Sequence, residues 1–188
     1  ASRLDGFTVT QGYAFGPDEL TQVGAGIYNG SSVKSLMVEN CTFEENSAQI
    51  AGGAMYNATT SAPSIINSTF HSNSAMINGG AINNAISSVP IIEGCTFLDN
   101  QATERGGAIA NESGSNPDIE RCMFRDNQAL DVSRTSSTGF GGAIDSNDSS
   151  LLIRNCVFAA NSAAYRGGAI SNESTAAVEL GRNVTILS

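Results

Sequence analysis

The sequence repeats itself with a period of 27 residues. Phe followed three residues later by Asn occurs five times; Phe43, Phe70, Phe97 and Phe124 are 27 residues apart, and Phe158 follows 34 residues later. A fixed period in this range is the signature of a solenoid, because one repeat cannot bury its apolar face without its neighbours. The chain is therefore predicted to fold as stacked coils.

A second signature, Gly-Gly-Ala, separates the copies of the first. It occurs at 52–54, 79–81, 106–108, 141–143 and 167–169, with a degenerate Gly-Ala-Gly at 24–26. Three strand-like segments fall within each period, exemplified by 81–83, 90–93 and 95–97. Stacked at about 4.8 Å, such short strands form parallel sheets around one core. The prediction is an all-β, right-handed, single-stranded parallel β-helix of pectate-lyase-like architecture, with about seven coils and three sheets.

The apolar parity changes between the second and third segments of each period. Asn40, Asn67, Gly94 and Asn155 stand at this point, and Arg121 breaks the pattern. Asn and Gly tolerate the left-handed conformation that a sharp bend requires. We therefore expect a tight bend there in every coil.

In a β-helix each repeat position becomes a column of stacked side chains. A core column of Phe and a column of Asn whose amides bond from coil to coil are predicted at these residues: Phe43, Phe70, Phe97, Phe124, Phe158, Asn46, Asn73, Asn100, Asn127 and Asn161. A second Asn column follows the Gly-Gly-Ala strands: Asn29, Asn57, Asn84, Asn111 and Asn172. Both columns have a sufficient structural role.

Four cysteines share one column. Ser68 separates Cys41 from Cys95, Cys122 and Cys156, and side-by-side neighbours on parallel strands stand wider apart than a disulfide prefers. Buried free thiols are therefore favoured over disulfides. With His71 as the single histidine and no Cys-x-x-Cys spacing, no metal site and no cofactor are predicted.

The net charge of −9 argues against a nucleic-acid partner, because the nine basic residues are scattered. No apolar run is long enough to insert into a membrane. Residues 1–6 lack a signal region, so a mature form or a fragment is expected. Neither end shows a capping segment, and a single domain over 1–188 is predicted as a segment of a longer solenoid or as a subunit that stacks end to end with copies of itself.

One coil carries an insertion at 128–140. It is seven residues longer than the usual turn and is rich in Ser, Thr and Gly. Insertions of solenoids often fall on a binding face. The simpler interpretation, that a longer loop is tolerated because closing it costs little, is favoured.

No catalytic constellation emerges from the outward-facing columns. The column after Gly-Gly-Ala-Ile holds Tyr28, Tyr56, Asn83, Ala110, Asp145 and Ser171, without paired carboxylates. Asp145 and Asp148, with Arg134 of the insertion, are the one group that acid–base chemistry could use. They are interpreted as solvated charges, and no catalytic residue is predicted.

The two signatures resemble the Phe-x-x-Asn and Gly-Gly-Ala-Ile repeats of the polymorphic outer membrane protein family. The resemblance covers nearly the whole chain, through the five Phe-x-x-Asn copies and the Gly-Gly-Ala sites described above. Passenger domains of that family are surface-exposed β-helices implicated in adhesion. The resemblance implies an extracellular or cell-surface location, with glycans or a host receptor as partners.

Several Asn-x-Ser/Thr sequons suggest N-glycosylation of a secreted chain. The candidates assigned to accessible turns are Asn29, Asn57, Asn111, Asn147 and Asn172. The sequons at Asn40, Asn67 and Asn183 lie at the tight bend, which is expected to enclose them.

Taken together, these features favour a non-enzymatic extracellular β-solenoid with a structural or adhesive role, including assembly end to end into filaments. One alternative is a polysaccharide-active β-helix lyase, hydrolase or epimerase. A second alternative is binding to ice or mineral through the Thr column at Thr8, Thr42, Thr69, Thr96 and Thr185, which Met123 and Val157 interrupt. Ordinary strand propensity also explains that column.

Overall fold

The computed structural model describes residues 2–132, 138–173 and 177–187. These residues form four sheets in which every strand pairs in parallel with the equivalent strand of the next coil. A single 3₁₀ turn, Glu19–Thr21, lies in the first coil. The predicted parallel β-helix is confirmed, with seven strands in each of two sheets and six in each of the others.

Sheets 1 and 2 have seven strands each and meet at the predicted bend. Sheet 1 comprises Ser2–Asp5, Leu36–Glu39, Ser64–Ile66, Ile91–Glu93, Asp118–Glu120, Leu151–Arg154 and Val178–Leu180. Sheet 2 comprises Thr8–Thr10, Thr42–Glu44, Thr69–His71, Thr96–Leu98, Met123–Arg125, Val157–Ala159 and Thr185–Leu187. The bend between them is left-handed in each coil, with φ of 52° at Asn40, 47° at Asn67 and 54° even at Arg121.

Sheets 3 and 4 have six strands each. Sheet 3 comprises Tyr13–Ala14, Ser47–Ala48, Ser74–Ala75, Gln101–Ala102, Gln128–Ala129 and Ser162–Ala163. Sheet 4 comprises Ile27–Asn29, Met55–Asn57, Ile82–Asn84, Ile109–Glu112, Ile144–Asn147 and Ile170–Asn172.

The prediction of three sheets is wrong, because the strands of sheet 3 lie outside the three strand-like segments recognised in each period. These strands have two residues, too few for alternation to be recognised in a sequence. They pair nonetheless, since the amide of Ser74 donates to the carbonyl of Asn46 at 2.9 Å and Ala48 and Ala102 are fully buried.

The core is a set of columns of identical or similar side chains. Phe43, Phe70, Phe97, Phe124 and Phe158 are fully buried, and their rings stack with centroids 4.7–4.9 Å apart and planes within 6°. Columns of Ile and Ala from sheets 1 and 4 pack against them. The centre of the coil is thus filled by apolar side chains.

The predicted Asn column forms a buried ladder at the corner between sheets 2 and 3. Asn73 donates its amide to the Oδ1 of Asn100 at 3.0 Å and to the carbonyl of Phe43 at 2.9 Å. The backbone N–H of Asn73 also donates to Asn100 Oδ1, at 3.0 Å. The same three bonds recur at Asn100 and Asn127, so the ladder ties each coil to the coils above and below.

The two glycines of Gly-Gly-Ala are required for different reasons. The first has a left-handed backbone, with φ of 61° at Gly106. The second has no room for a side chain: a Cβ on Gly107 would meet the carbonyl oxygen of Gly142 at 2.2 Å and the amide nitrogen of Gln128 at 2.5 Å. Sheets 3 and 4 therefore come together through a contact that a glycine alone permits.

We predict that Gly107→Ala destabilises the fold by about 3 kcal/mol or more, because the added methyl overlaps backbone atoms that cannot move aside. Gly30→Ala is the matched control, since its nearest neighbour lies 3.8 Å from the added atom. Urea unfolding followed by circular dichroism measures both. Equal stability of the two variants would contradict the close approach.

We predict that Asn100→Ala costs at least about 2 kcal/mol, because it removes the acceptor of the Asn73 backbone N–H and of one Asn73 side-chain N–H, and the side-chain donor to the Phe70 carbonyl. Asn116→Ala, at an exposed asparagine, should cost less than about 1 kcal/mol. The same unfolding measurement compares them, and a mild effect at Asn100 would mean that the ladder is dispensable.

Candidate functional site

The outward side of sheet 4 departs most from the repeat. Its central column, called here the sheet 4 face, contains Tyr28, Tyr56, Asn83, Ala110, Asp145 and Ser171, aligned in register. An outward column is expected to face solvent. Four members are instead buried: Asn83 is 0% exposed, Ala110 and Asp145 1%, and Ser171 5%.

Side chains from the two borders of sheet 4 reach across and cover this column. Asn78, before one strand, donates its amide to Glu112 Oε1, at the end of the next strand, at 2.7 Å. Arg105 donates to Glu173 Oε2 at 2.8 Å, two coils further on. We call these two contacts the polar straps. They roof the sheet 4 face over Asn83, Ala110 and Asp145.

Asp145 lies beneath the Arg105–Glu173 strap. Its carboxylate pairs with the same Arg105 nitrogen at 3.1 Å, and its side chain is 2% exposed. The interpretation of Asp145 as a solvated charge is therefore wrong, because side chains bordering the sheet enclose it. Asp148 does lie exposed, at a left-handed turn, and Arg134 lies outside the described residues.

The described end of the insertion supplies part of the cluster. Phe140 occupies the same border column as Arg105, directly above it, and is 4% exposed. The Arg105 guanidinium lies over the Phe140 ring at 4.6 Å from its centroid, and Tyr165 meets that ring edge-on at 5.3 Å. This stacking orients Arg105 toward the carboxylates. Residues 133–137 of the insertion lie outside the described residues.

Burial and the polar partners of Glu112, Asp145 and Arg105 shift the pKa values of these groups in opposite directions. Burial raises the pKa of Glu112, against the hydrogen bond from Asn78 and the attraction of Arg105. Burial likewise raises the pKa of Asp145, although Arg105 favours its charged form. Burial disfavours the charged form of Arg105, but its bonds to Glu173 and Asp145 prevail and raise its pKa. Paired carboxylates with raised pKa values mark this cluster as chemically unlike the rest of the surface.

Tyr28 and Tyr56 form the other half of the sheet 4 face. Their rings stack with centroids 5.8 Å apart and planes within 6°, and Tyr28 is 43% exposed. On one side the border residues are small: Gly30, Ala58 and Ala85. On the other side Leu20, Val23, Ile50 and Ile77 line a shallow apolar depression beside Tyr56. The face thus begins as an aromatic shelf and continues as a polar cluster.

Arg105, Glu112 and Glu173 are absent from the sequence-based prediction, which rests on the central column, where Ala110 and Ser171 flank Asp145, and not on the two border columns. A signal was present: Arg105 and Arg166 both precede Gly-Gly, while Glu112 and Glu173 both follow the Asn of the second Asn column. Residues at equal repeat positions on either side of one strand are near enough to bridge it.

Three of the predicted glycosylation sites are buried in the folded chain. Asn29 is 3% exposed, and Asn57 and Asn111 are 0% exposed. Their amides form the second ladder, with Asn29 donating to Asn57 at 3.2 Å and Asn57 to Asn84 at 2.8 Å. The expectation that these three occupy accessible turns is wrong, because the folded coil uses the nitrogen to which a glycan would be attached.

The remaining sequons are distributed differently. Asn147 is half-buried and Asn172 is exposed, so glycosylation there stays a prediction. The bend residues Asn40, Asn67 and Asn183, which were expected to be enclosed, are exposed. The bend turns these side chains outward because its left-handed residue points away from the core.

The four cysteines are free and buried, as predicted. Their thiols also carry a ladder: Cys122 Sγ donates to the carbonyl of Glu120 at 3.2 Å, while the N–H of Cys95 donates to Cys122 Sγ at 3.4 Å. The Ser68 hydroxyl takes the place of a thiol next to Cys41, since its Oγ accepts a hydrogen bond from the Cys41 N–H at 3.1 Å. Hydroxyl and thiol are thus equivalent in this column.

The stacked coils, the left-handed bends and the parallel register define the chain as a parallel β-helix. The family model for the right-handed beta helix region matches residues 18–185. The chain therefore belongs to the right-handed β-helix family. Comparison found no match among curated proteins or among solved structures.

Within the described ranges, no three His, Cys, Asp or Glu side chains are grouped so as to hold a metal ion. In the same part of the chain no helix is both long and apolar enough to cross a bilayer.

We predict that Glu112→Gln stabilises the protein at neutral pH, because it removes a desolvated charge and keeps an oxygen for Asn78. The pKa of Glu112 is higher in the folded than in the unfolded chain, so the folded chain binds more protons between the two values. Wild-type stability therefore falls, relative to the variant, as pH rises through the raised pKa. Melting temperatures from pH 4 to pH 8 measure this difference. Glu44→Gln on sheet 2 is the control, and identical pH profiles for all three proteins would contradict the prediction.

Proposed function

We propose that the chain is a non-enzymatic β-solenoid of the cell surface or extracellular space, serving as a rigid rod with an adhesive face. The resemblance of its repeats to the polymorphic outer membrane protein family supports the location and the adhesive role. Family membership in the right-handed β-helices supports the rod itself.

One observation carries the adhesive part of this proposal: the face of sheet 4 combines a tyrosine shelf with a polar cluster. Other columns repeat because core or turn geometry requires it, as for the Phe and Asn ladders. Neither Tyr28 nor the Arg105 cluster has such a role in the coil. Tyrosine offers a large contact area at low entropic cost and retains a hydroxyl for polar contacts, which suits a binding surface.

The face runs along the rod, so a ligand can contact several coils at once. Glycans or a receptor of another cell are the partners that this proposal assigns to it. Aromatic rings at one end and hydrogen-bonding groups at the other match a ligand with both apolar and polar surfaces.

We predict that a Tyr28→Ala/Tyr56→Ala double variant loses at least about tenfold in affinity for any surface ligand of this protein. Binding is measured on a printed array of neutral, acidic and amino-sugar glycans together with extracellular matrix proteins. Thr42→Ala/Thr69→Ala on sheet 2 is the matched control and should bind like the wild type. Equal binding by both double variants would remove the sheet 4 face from the proposal.

A polysaccharide-active enzyme is the second candidate, and the raised pKa values of Glu112 and Asp145 favour it. Against it, the straps hold these carboxylates in ion pairs and hydrogen bonds. Incubation with neutral and acidic polysaccharides, using Asp145→Asn as the inactive reference, separates the candidates. Turnover that disappears in this variant would replace the adhesive proposal.

Stacking of coils is the third element of the proposal. Ile186 continues the Phe column beyond Phe158 and is 53% exposed, and Leu180 of the same coil is 52% exposed. In this proposal a second copy of the chain stacks on this coil and covers both residues. Association through a second copy is open-ended, and yields filaments that electron microscopy detects.

A further inference from the structure

Several polar atoms beneath the polar straps are buried and lack hydrogen-bond partners. Asn83 is 0% exposed, and neither its Nδ2 nor its Oδ1 is bonded. Asp145 Oδ1 and Asn78 Oδ1 are also buried and unbonded. Such atoms cost folding free energy, and native proteins rarely retain them without a use.

These atoms face one cluster. Asn83 lies beside Glu112, whose carboxylate it affects, and follows Tyr56 in the central column. Asp145 lies under Arg105, two coils above Asn83. A group entering from the tyrosine shelf would therefore meet Asn78 and Asn83 first and then Asp145.

Most of the unbonded atoms are hydrogen-bond acceptors. Three are acceptor oxygens, on Asn78, Asn83 and Asp145, and one is a donor, Asn83 Nδ2. The charged groups of the cluster are Glu112, Asp145 and Glu173 against Arg105 and Arg166, the last of which is 62% exposed and pairs with Glu173 at 3.7 Å. An excess of carboxylates and acceptors disfavours an anion and suits a cation.

The cluster already binds one cation of this kind. Arg105 lies flat on Phe140 while its nitrogen contacts Asp145 and Glu173. Only one of the Asp145 oxygens is used, so the same carboxylate retains an acceptor. The straps close over these atoms, since Asn83, Ala110 and Asp145 are at most 1% exposed. A ligand reaches them only when the straps part, and a slender side chain requires a smaller displacement than a sugar ring.

We propose that the space beneath the straps accepts the ammonium or guanidinium of a basic side chain from a partner protein, with Asp145, Asn83 and Asn78 as hydrogen-bond acceptors. The Glu112 and Arg105 side chains move aside as the group enters, and its apolar stem lies on Tyr56. This inference rests on the proposed adhesive function and names the chemistry of its partner.

The test measures binding of blocked hexaarginine and hexalysine peptides at physiological salt by isothermal titration calorimetry. Both should bind the wild type. Asp145→Asn should weaken binding at least about tenfold, because a buried charged acceptor is lost. Glu44→Gln, which removes the same charge from sheet 2, should change the affinity less than about twofold.

The Asn83→Ala variant distinguishes a ligand-binding role of Asn83 from a purely structural one. Removing an unbonded buried amide should raise the melting temperature, and removing a ligand acceptor should weaken peptide binding. Both changes together support the proposal. A variant that is more stable and binds the peptides as tightly as the wild type overturns it.

Further ligands and variants distinguish this proposal from its alternatives. If Asp145→Asn and Glu44→Gln weaken binding equally, the attraction is diffuse and the site does not exist. If a chitosan hexamer binds at Asp145 in preference to the peptides, the partner is an amino sugar and the proposal fails. If an array ligand binds through the tyrosines while the peptides ignore Asp145, this inference falls and the adhesive function stands. If the peptides require Asp145 while the tyrosine variant binds the array like the wild type, the basic-side-chain site stands and the adhesive face fails.

Discussion

The fold depends on each coil meeting a near-copy of itself, and the buried Asn ladder holds that registry most tightly. At the corner between sheets 2 and 3 the residue before each ladder Asn is left-handed although it is not glycine, as at Glu45, Ser72 and Asp99. Such backbones are strained by about 1 kcal/mol or more each. The three bonds made by each ladder amide offset that strain, because a coil out of register would leave all of them unpaired in the buried interior. Sheets, core columns and bends then follow at fixed distances from the ladder.

Much of this architecture can be predicted from the sequence because the repeat converts a long-range problem into a local one. The spacing of Phe43 to Phe124 establishes the coil, and a residue's neighbours are the residues one period away. The Cys column with Ser68 and the seven strands of sheet 2 could be predicted in this way. Sheet 3 could not, since Ser47–Ala48 has no pattern of its own and is extended only because the ladder precedes it.

The site was harder to predict for a related reason. The repeat predicts which residues stack at one position along the rod. The straps instead join different repeat positions across the sheet, Asn78 to Glu112 and Arg105 to Glu173. Whether such residues meet depends on side-chain length and rotamer, which repeat spacing does not encode. The burial of Asn29, Asn57 and Asn111 shows the same limit, because a turn in sequence became an interior corner in the structure. Border positions of a solenoid sheet therefore merit inspection in pairs.

The thiol ladder has a consequence for where such a rod can assemble. Each Cys hydrogen is engaged by a carbonyl of its own chain, and burial and hydrogen bonds from Cys156 and Cys95 raise the pKa of Cys122. Thiolate is the reactive form of cysteine, so Cys122 resists oxidation and exchange while the coil is closed. All four cysteines are free, so cohesion of the rod does not depend on disulfide bonds or on an oxidising environment to form them.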